Sequence, residues 1–217
     1  MKTIVITRFS IYDPDYKRYL LTRENAKNYK KILFDPKRLN FKFNVFRKVT
    51  LPSILKQTNK NFTWYIYASK FLPKKYKKKL LLLTRRHKQI KCLFIKSFKE
   101  FAKIKYPKTK YCTVRLDDDD GLNPKFFEYL NKYKHKKDGT IISSPYGRKF
   151  TVKKNKIVYG KKYYRKKCAF GLAAIGMNIY DCGNHYQVDK KYKVIYNKTP
   201  NMYSVCCSEF CDTKRKG

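Results

Sequence analysis

Short apolar runs alternate with longer polar segments along this chain. The run Thr3–Thr7 predicts a first strand, because short runs rich in β-branched residues favour strands. The same pattern predicts four further strands, at Trp64–Ala68, Lys91–Ile95, Tyr111–Leu116 and Thr140–Ser144. A hairpin is predicted over residues 149–159. Strands that alternate with helices are typical of an α/β, Rossmann-like domain, with a mostly parallel central sheet flanked by helices.

The intervening segments show helical spacing. Apolar residues recur every three or four positions over Asn44–Gln57, where Pro52 predicts a kink or break. Pro73 opens a basic helix that runs to about Arg86, and Asn123-Pro124 opens another. A short helix is expected near Phe98. Residues 15–40 form a long polar insertion in this interpretation, and the residues after 167 are left without predicted elements.

The chain is strongly basic. It carries 54 Lys and Arg against 15 Asp and Glu, a formal charge of +39, yet 42% hydrophobic residues argue for a folded protein. A cationic surface attracts phosphate, so a non-catalytic nucleic-acid-binding module is one interpretation. The lysines are spread along the whole chain and no nucleic-acid-binding signature is found, so we expect no specific nucleic-acid partner. An acidic glycan, an acidic protein or peripheral contact with an anionic membrane also suits this charge.

Apolar runs and cysteines predict a location. The apolar run at the start of the chain ends at Arg8, which makes it too short for the hydrophobic segment of a secretory signal peptide. The longest weakly polar stretch, Cys168–Met177, has ten residues, whereas a transmembrane segment needs about 20. Seven cysteines without a C-x-x-C pair fit reduced thiols. We therefore expect a cytoplasmic protein without a signal peptide or transmembrane segment.

Four consecutive aspartates, Asp117 to Asp120, concentrate acid in this basic chain. They are four of the 15 acidic residues in the chain, and they lie between a predicted strand and a predicted helix. Adjacent carboxylates repel one another unless a cation offsets their charge, and Mg²⁺ or Mn²⁺ prefers oxygen ligands. The alternative is a solvated acidic turn at a helix start. The pattern favours a divalent cation, with Asp117 and Asp119 as an Asp-x-Asp pair at the edge where α/β sheets bind ligands.

The string Arg115–Pro124 resembles the Asp-x-Asp region of nucleotide-sugar glycosyltransferases of the GT-A fold. Other strings resemble one branch, the putative rhamnosyltransferase family, and occur in the expected order at Thr7–Ser10, Leu51–Thr58, Asn61–Trp64, Ser144–Gly147 and Gly183–His185. The resemblance covers most of the chain, apart from the insertion and the tail after residue 197. It implies one GT-A-like domain over residues 1–217. With the many residues that have A/T-rich codons, it also indicates a large DNA virus or an A/T-rich bacterium.

The activity that this resemblance implies is metal-dependent transfer of a hexosyl or deoxyhexosyl group. The donor would be a UDP- or dTDP-sugar, the acceptor a glycan or glycoprotein, and the cofactor Mn²⁺ or Mg²⁺. The implied donor-binding residues are Arg8, Arg115, Asp117 and Asp118, and the implied metal ligands are Asp117, Asp119, Asp120 and His185. Arg8 could instead be a surface arginine, and His185 a turn histidine without a ligand role.

An inverting transfer also needs a base that takes the proton of the acceptor hydroxyl. Asp181, beside a glycine-rich segment, is the first candidate and Glu209 the second, although either could be an ordinary surface acid. A retaining reaction would need no such base. The alternative enzyme class is a metal-dependent phosphoryl or nucleotidyl transferase, which would use the same carboxylates on another substrate.

Overall fold

The computed structural model describes residues 1–13, 15, 27–103, 106–208 and 210. Its strands are β1 (Lys2–Phe9), β2 (Phe62–Ser69), β3 (Ile90–Ile95), β4 (Tyr111–Arg115), β5 (Gly121–Leu122), β6 (Ile141–Ser143), β7 (Tyr146–Lys153), β8 (Lys156–Tyr164), β9 (Ala173–Ile175), β10 (Val194–Tyr196) and β11 (Tyr203–Cys206). Its α-helices are α1 (Tyr29–Leu33), α2 (Pro36–Val45), α3 (Leu51–Leu55), α4 (Lys74–Thr84) and α5 (Phe126–Asn131). A π-helical turn spans Phe46–Thr50, and 3₁₀ turns span Phe98–Lys103, Ile179–Cys182 and His185–Lys190.

Seven strands form the central sheet, in the order β10-β6-β9-β4-β1-β2-β3. Strand β1 pairs in parallel with β2 and β4, and β2 pairs in parallel with β3. Among the described strands of this sheet, only β9 runs antiparallel to its two neighbours. The predicted fold class, a mostly parallel sheet flanked by helices, is therefore confirmed.

Strand β1 is paired along both edges and is buried on both faces. Ile4 and Ile6 pack in one cluster, while Val5 and Phe9 belong to the larger cluster on the other face. The larger cluster includes Trp64 of β2, whose indole N–H donates to the hydroxyl of Thr7 over 2.9 Å. A strand buried on both faces is typical of a parallel sheet covered by helices.

The helical region before β2 starts earlier than the sequence indicates. Helix α2 begins at Pro36, capped by Asp35, which accepts hydrogen bonds from two backbone N–H groups. The chain stays helical through the π turn and α3 to Leu55. Since Pro52 cannot donate to a regular helical ladder, the widened turn before it carries the helix past this position. The predicted start at Asn44 is therefore wrong, and residues 29–40 of the predicted polar insertion contain α1 and the first part of α2.

A second, four-stranded sheet has the order β5-β11-β7-β8. Strands β7 and β8 form the predicted hairpin, longer at both ends, and turn at Lys154 and Asn155, which both have positive φ. The residues after 167 supply β9, β10 and β11, each of only three or four residues. Such short strands carry too little periodicity to be predicted. Among the residues that the model describes, no helix is both long enough and apolar enough to cross a bilayer.

Candidate functional site

The acidic run lies at the carboxyl edge of the central sheet, where the sequence places it. It follows directly after β4, which pairs in parallel with β1 so that Ile6 lies opposite Arg115. Because parallel strands end at the same edge, the last residues of β1, including Arg8, lie beside the acidic run.

Asp117 faces two guanidinium groups at this edge. Its Oδ1 lies 3.6 Å from Nη2 of Arg8 and 3.5 Å from Nε of Arg115. All three side chains are mostly covered, though Asp117 keeps about a quarter of its surface accessible, at 23%. Both arginines therefore lie beside the acidic run with their side chains mostly covered.

Tyr180 holds these arginines in place from the 3₁₀ turn at Ile179–Cys182. The guanidinium carbons of Arg8 and Arg115 lie 5.1 Å and 5.4 Å from the centre of its ring. Such cation–π contacts fix the guanidinium positions without neutralising their charge. Sequence reasoning missed Tyr180 because it lies in the segment without predicted elements.

Asp118 and Asp119 point inward to Lys42 of α2. The Lys42 ammonium donates to Oδ1 of Asp118 and Oδ2 of Asp119, each over 2.9 Å. Lys42 is only 2% exposed, and both carboxylates are 3% exposed. Sequence reasoning missed Lys42, because the helix that carries it was predicted to begin only at Asn44.

Asp120 ties the run to the second sheet. Its side chain is fully buried, and Oδ1 accepts a hydrogen bond from the backbone N–H of Cys206 over 2.9 Å. A side chain on the next residue, Gly121, would collide with its surroundings, because a Cβ there would lie 2.8 Å from Oγ of Ser204. The glycine thus permits β5 and β11 to pair directly behind the acidic run.

Thr50 and Gln57, which lie just before and just after α3, hydrogen-bond to the loop that carries the acidic run. The hydroxyl of Thr50 donates to the carbonyl oxygen of Asp118 over 3.1 Å. The buried amide of Gln57 donates to the carbonyl oxygen of Asn123 and accepts from the backbone N–H of Phe127. These contacts fix both ends of the loop between β4 and α5.

His185 is a neutral imidazole near Asp117. Burial, followed by the charge of Arg115, lowers its pKa to about 4, and the charge of Asp117 opposes this shift. Arg165, which sequence reasoning missed, also lowers the pKa of His185 and packs over Tyr186, whose ring lies 4.0 Å from the imidazole. At neutral pH the ring can accept a hydrogen bond or bind a metal ion.

The two candidate bases differ in what the structure shows of them. Asp181 follows Tyr180 directly, its side chain lies at the surface, and partial desolvation raises its pKa. A raised pKa suits a carboxylate that accepts a proton. Glu209 lies outside the described residues.

The carboxylates and imidazole proposed as metal ligands do not all meet in one place. Across the described part of the chain, no three His, Cys, Asp or Glu side chains are grouped so that they could hold a metal ion. Asp119 and Asp120 contact Lys42 and the Cys206 N–H, while Asp117 and His185 interact at the sheet edge. A cation with one carboxylate, one imidazole and oxygens of a bound diphosphate is compatible with the preference of Mg²⁺ for few protein ligands.

A family model described as putative rhamnosyl transferase matches residues 2–216, nearly the whole chain. The chain belongs to this family. It is thus a member of a glycosyltransferase family, and the resemblance drawn from its motifs is confirmed at that level. No curated protein sequence matches the chain.

Solved structures show the same fold at low sequence identity. S. aureus TarS 1-349 in complex with UDP-GlcNAc has a TM-score of 0.53 at 10% identity, covering 96% of this chain and 59% of that one. The same TarS fragment in complex with UDP has a TM-score of 0.54 at 11% identity, covering 96% of this chain and 61% of the fragment. This member of the rhamnosyl transferase family therefore spans about three fifths of the length of the TarS fragment.

Proposed function

We propose that this chain transfers a hexosyl or deoxyhexosyl group from a UDP- or dTDP-sugar to a glycan or a protein-linked glycan. The observation that carries the proposal is the group of Arg8, Arg115 and Asp117 at the carboxyl edge of β1 and β4. This edge is where open α/β sheets bind nucleotides. Family membership and the UDP-bound TarS structures of the same fold support the donor class.

The charges at the edge suit a diphosphate. Arg8 and Arg115 flank Asp117, and Arg165 is close enough to His185 to lower its pKa. Guanidinium forks match phosphate oxygens in pairs, so these three side chains are suited to the oxygens of a diphosphate. We infer that Arg8, Arg115 and Arg165 bind the diphosphate of the donor and stabilise the charge that develops on it as it leaves.

Mn²⁺ or Mg²⁺ is the proposed cofactor, held by Asp117 and His185. A divalent cation at this point would act as a Lewis acid for the departing nucleoside diphosphate. Asp119 and Asp120, the other proposed ligands, contact the Lys42 ammonium and the Cys206 N–H in this arrangement. Asp119 would therefore join the ligands only if Lys42 released it.

Lys42 then acts as a positioning residue. By binding the second and third carboxylates of the run, it leaves Asp117 as the carboxylate that faces the edge. Asp181 is the proposed base for the acceptor hydroxyl, because it adjoins Tyr180 at the same edge and its pKa is raised. The acceptor would approach from that side.

Product analysis tests the proposal most directly. The full chain is incubated with UDP-sugars and dTDP-sugars and Mn²⁺, and phosphorus NMR identifies the nucleotide released by transfer or slow hydrolysis. Sugar transfer releases UDP or dTDP, because the bond between the sugar and the phosphate breaks. Release of UMP or dTMP with a sugar phosphate would instead identify a nucleotidyl transferase and overturn the proposal.

Binding gives a second, independent readout. UDP with Mn²⁺ should raise the melting temperature of the wild type, because a ligand at 100 times its Kd stabilises the native state by about 2.7 kcal/mol. The Asp117→Asn variant should lose the part of this shift that depends on Mn²⁺. The control is Asp138→Asn, an exposed carboxylate that pairs with Lys110. An equal loss in both variants would contradict the assigned role of Asp117.

A further inference from the structure

The outward face of α4 combines cations with exposed leucines. Lys74, Lys78, Leu81, Leu82 and Arg85 follow one another at intervals that place them on one side of a helix, and all five are exposed. Leu81 is 43% exposed and Leu82 is 48% exposed. Two adjacent leucines are thus exposed to solvent on the same side of the helix as Lys74, Lys78 and Arg85.

The opposite face of α4 holds the helix firmly on the protein. Tyr76, Leu80 and Thr84 are buried, and the ring of Tyr76 stacks on Phe43 of α2 with centroids 5.6 Å apart. The hydroxyl of Tyr76 also donates to the side chain of Asn40. The helix packs on the protein through this face, so no other described element covers Leu81 and Leu82.

Charge is concentrated in the same segment. Residues 74–88 contain eight Lys and Arg residues and no Asp or Glu: Lys74, Lys75, Lys77, Lys78, Lys79, Arg85, Arg86 and Lys88. Clusters of four to eight such residues on an amphipathic helix are typical of binding to anionic lipid headgroups. Leucine side chains among them add apolar area that can enter the boundary between headgroups and acyl chains.

We propose that this face of α4 docks the protein on the surface of an anionic lipid bilayer. The ammonium and guanidinium groups would contact headgroup phosphates, while Leu81 and Leu82 enter the interface. Phosphates of a nucleic acid would also attract the cations, but they offer no apolar layer for two adjacent leucines. The inference is independent of the proposed sugar donor.

The geometry of the sheet gives docking a consequence for the site. Helix α4 follows the carboxyl end of β2, which is parallel to β1 and β4. The start of α4 and Asp117 therefore lie at the same edge of the sheet. The docked face runs from this edge, at Lys74, towards the opposite edge, at Leu81 and Leu82, so a docked molecule would lie with this side of the sheet along the bilayer.

Vesicle sedimentation tests the proposal with matched controls. The full chain is mixed with phosphatidylcholine vesicles that contain or lack phosphatidylglycerol. Leu81→Ser with Leu82→Ser should weaken binding to the anionic vesicles about tenfold, from the apolar area lost. The control pair is Val158→Ser with Tyr159→Ser, which removes side chains of similar exposure, 43% and 55%, from the hairpin edge. Melting curves confirm that each variant is folded.

A second comparison separates local charge from net charge. Lys74→Gln with Lys78→Gln should weaken vesicle binding more than Lys161→Gln with Lys162→Gln, which removes the same charge from β8. Equal losses in the two lysine pairs, or no difference between the two apolar pairs, would mean diffuse attraction by the charge of +39 and would overturn the proposal. Loss of single-stranded RNA binding without loss of vesicle binding in the α4 variants would overturn it as well.

Discussion

The ammonium of Lys42 donates a hydrogen bond to Oδ2 of Asp119 over 2.9 Å, and both side chains are buried. This pair joins α2 to the acidic run after β4. Because the same ammonium also binds Asp118, a cation that belongs to the chain offsets part of the charge of the run. The four aspartates are therefore not equivalent, and Asp117 is the one that faces the sheet edge.

Loss of the Lys42 ammonium should destabilise the fold strongly. Lys42→Met leaves two buried carboxylates without this cation, and breaking a buried ion pair in this way costs about 3–5 kcal/mol. Urea denaturation measures the free energy of unfolding, with Lys37→Met, an exposed lysine of the same helix, as the control. Adding Asp118→Asn and Asp119→Asn to Lys42→Met should recover part of the loss. If the triple variant is no more stable than Lys42→Met, the charge argument is wrong.

Arg115 should contribute to nucleotide affinity. Arg115→Gln removes a guanidinium group that Tyr180 holds beside Asp117, so the affinity for UDP should fall about 10- to 100-fold, the range for a charged hydrogen bond. Isothermal titration calorimetry in the presence of Mn²⁺ measures this. Arg148→Gln, on the exposed part of β7, is the control and should leave the affinity nearly unchanged. Similar losses in both variants would mean that only the overall charge attracts UDP.

Gly121 should tolerate no side chain. In Gly121→Ala the new Cβ would lie 2.8 Å from Oγ of Ser204 and 3.0 Å from Cγ1 of Val49, so β5 or its neighbours must shift, at a cost of about 1–3 kcal/mol. Gly160→Ala is the control, because its nearest neighbour would lie at an ordinary 3.8 Å. Thermal unfolding compares the two. Equal melting temperatures would show that the pairing behind the acidic run adjusts freely.

His185 should make the metal-free protein less stable in mild acid. Its pKa is about 4 in the folded chain and about 6.5 when unfolded, so between these values the unfolded chain binds a proton that the folded chain does not. The free energy of unfolding should therefore fall as the pH decreases from about 6.5 towards 4. Urea midpoints across this range should depend less on pH in His185→Gln than in the wild type or in His87→Gln. An unchanged pH dependence in His185→Gln would contradict the assigned burial and charge environment.

The strands at Thr3–Thr7 and Tyr111–Leu116, and the position of the acidic run after the second of them, could be predicted because they depend on local patterns. The predicted helix start at Asn44 was wrong because the beginning of this helix does not show a clear local pattern. Residues 36–43 interleave three basic residues with three apolar ones, and only packing against the sheet shows that Leu39 and Lys42 face inward.

The sequence by itself determined the fold class, the position of the acidic run at the carboxyl edge of the sheet, and Arg8 and Arg115 as candidates to line a site there. Only the tertiary structure decided which partner each aspartate has. Lys42 and Asp119 are 77 residues apart, and Tyr180 reaches Arg8 from a segment without a readable pattern. Such contacts depend on how helices and turns pack across the sheet, and local hydrophobic periodicity carries no information about partners so distant in the chain.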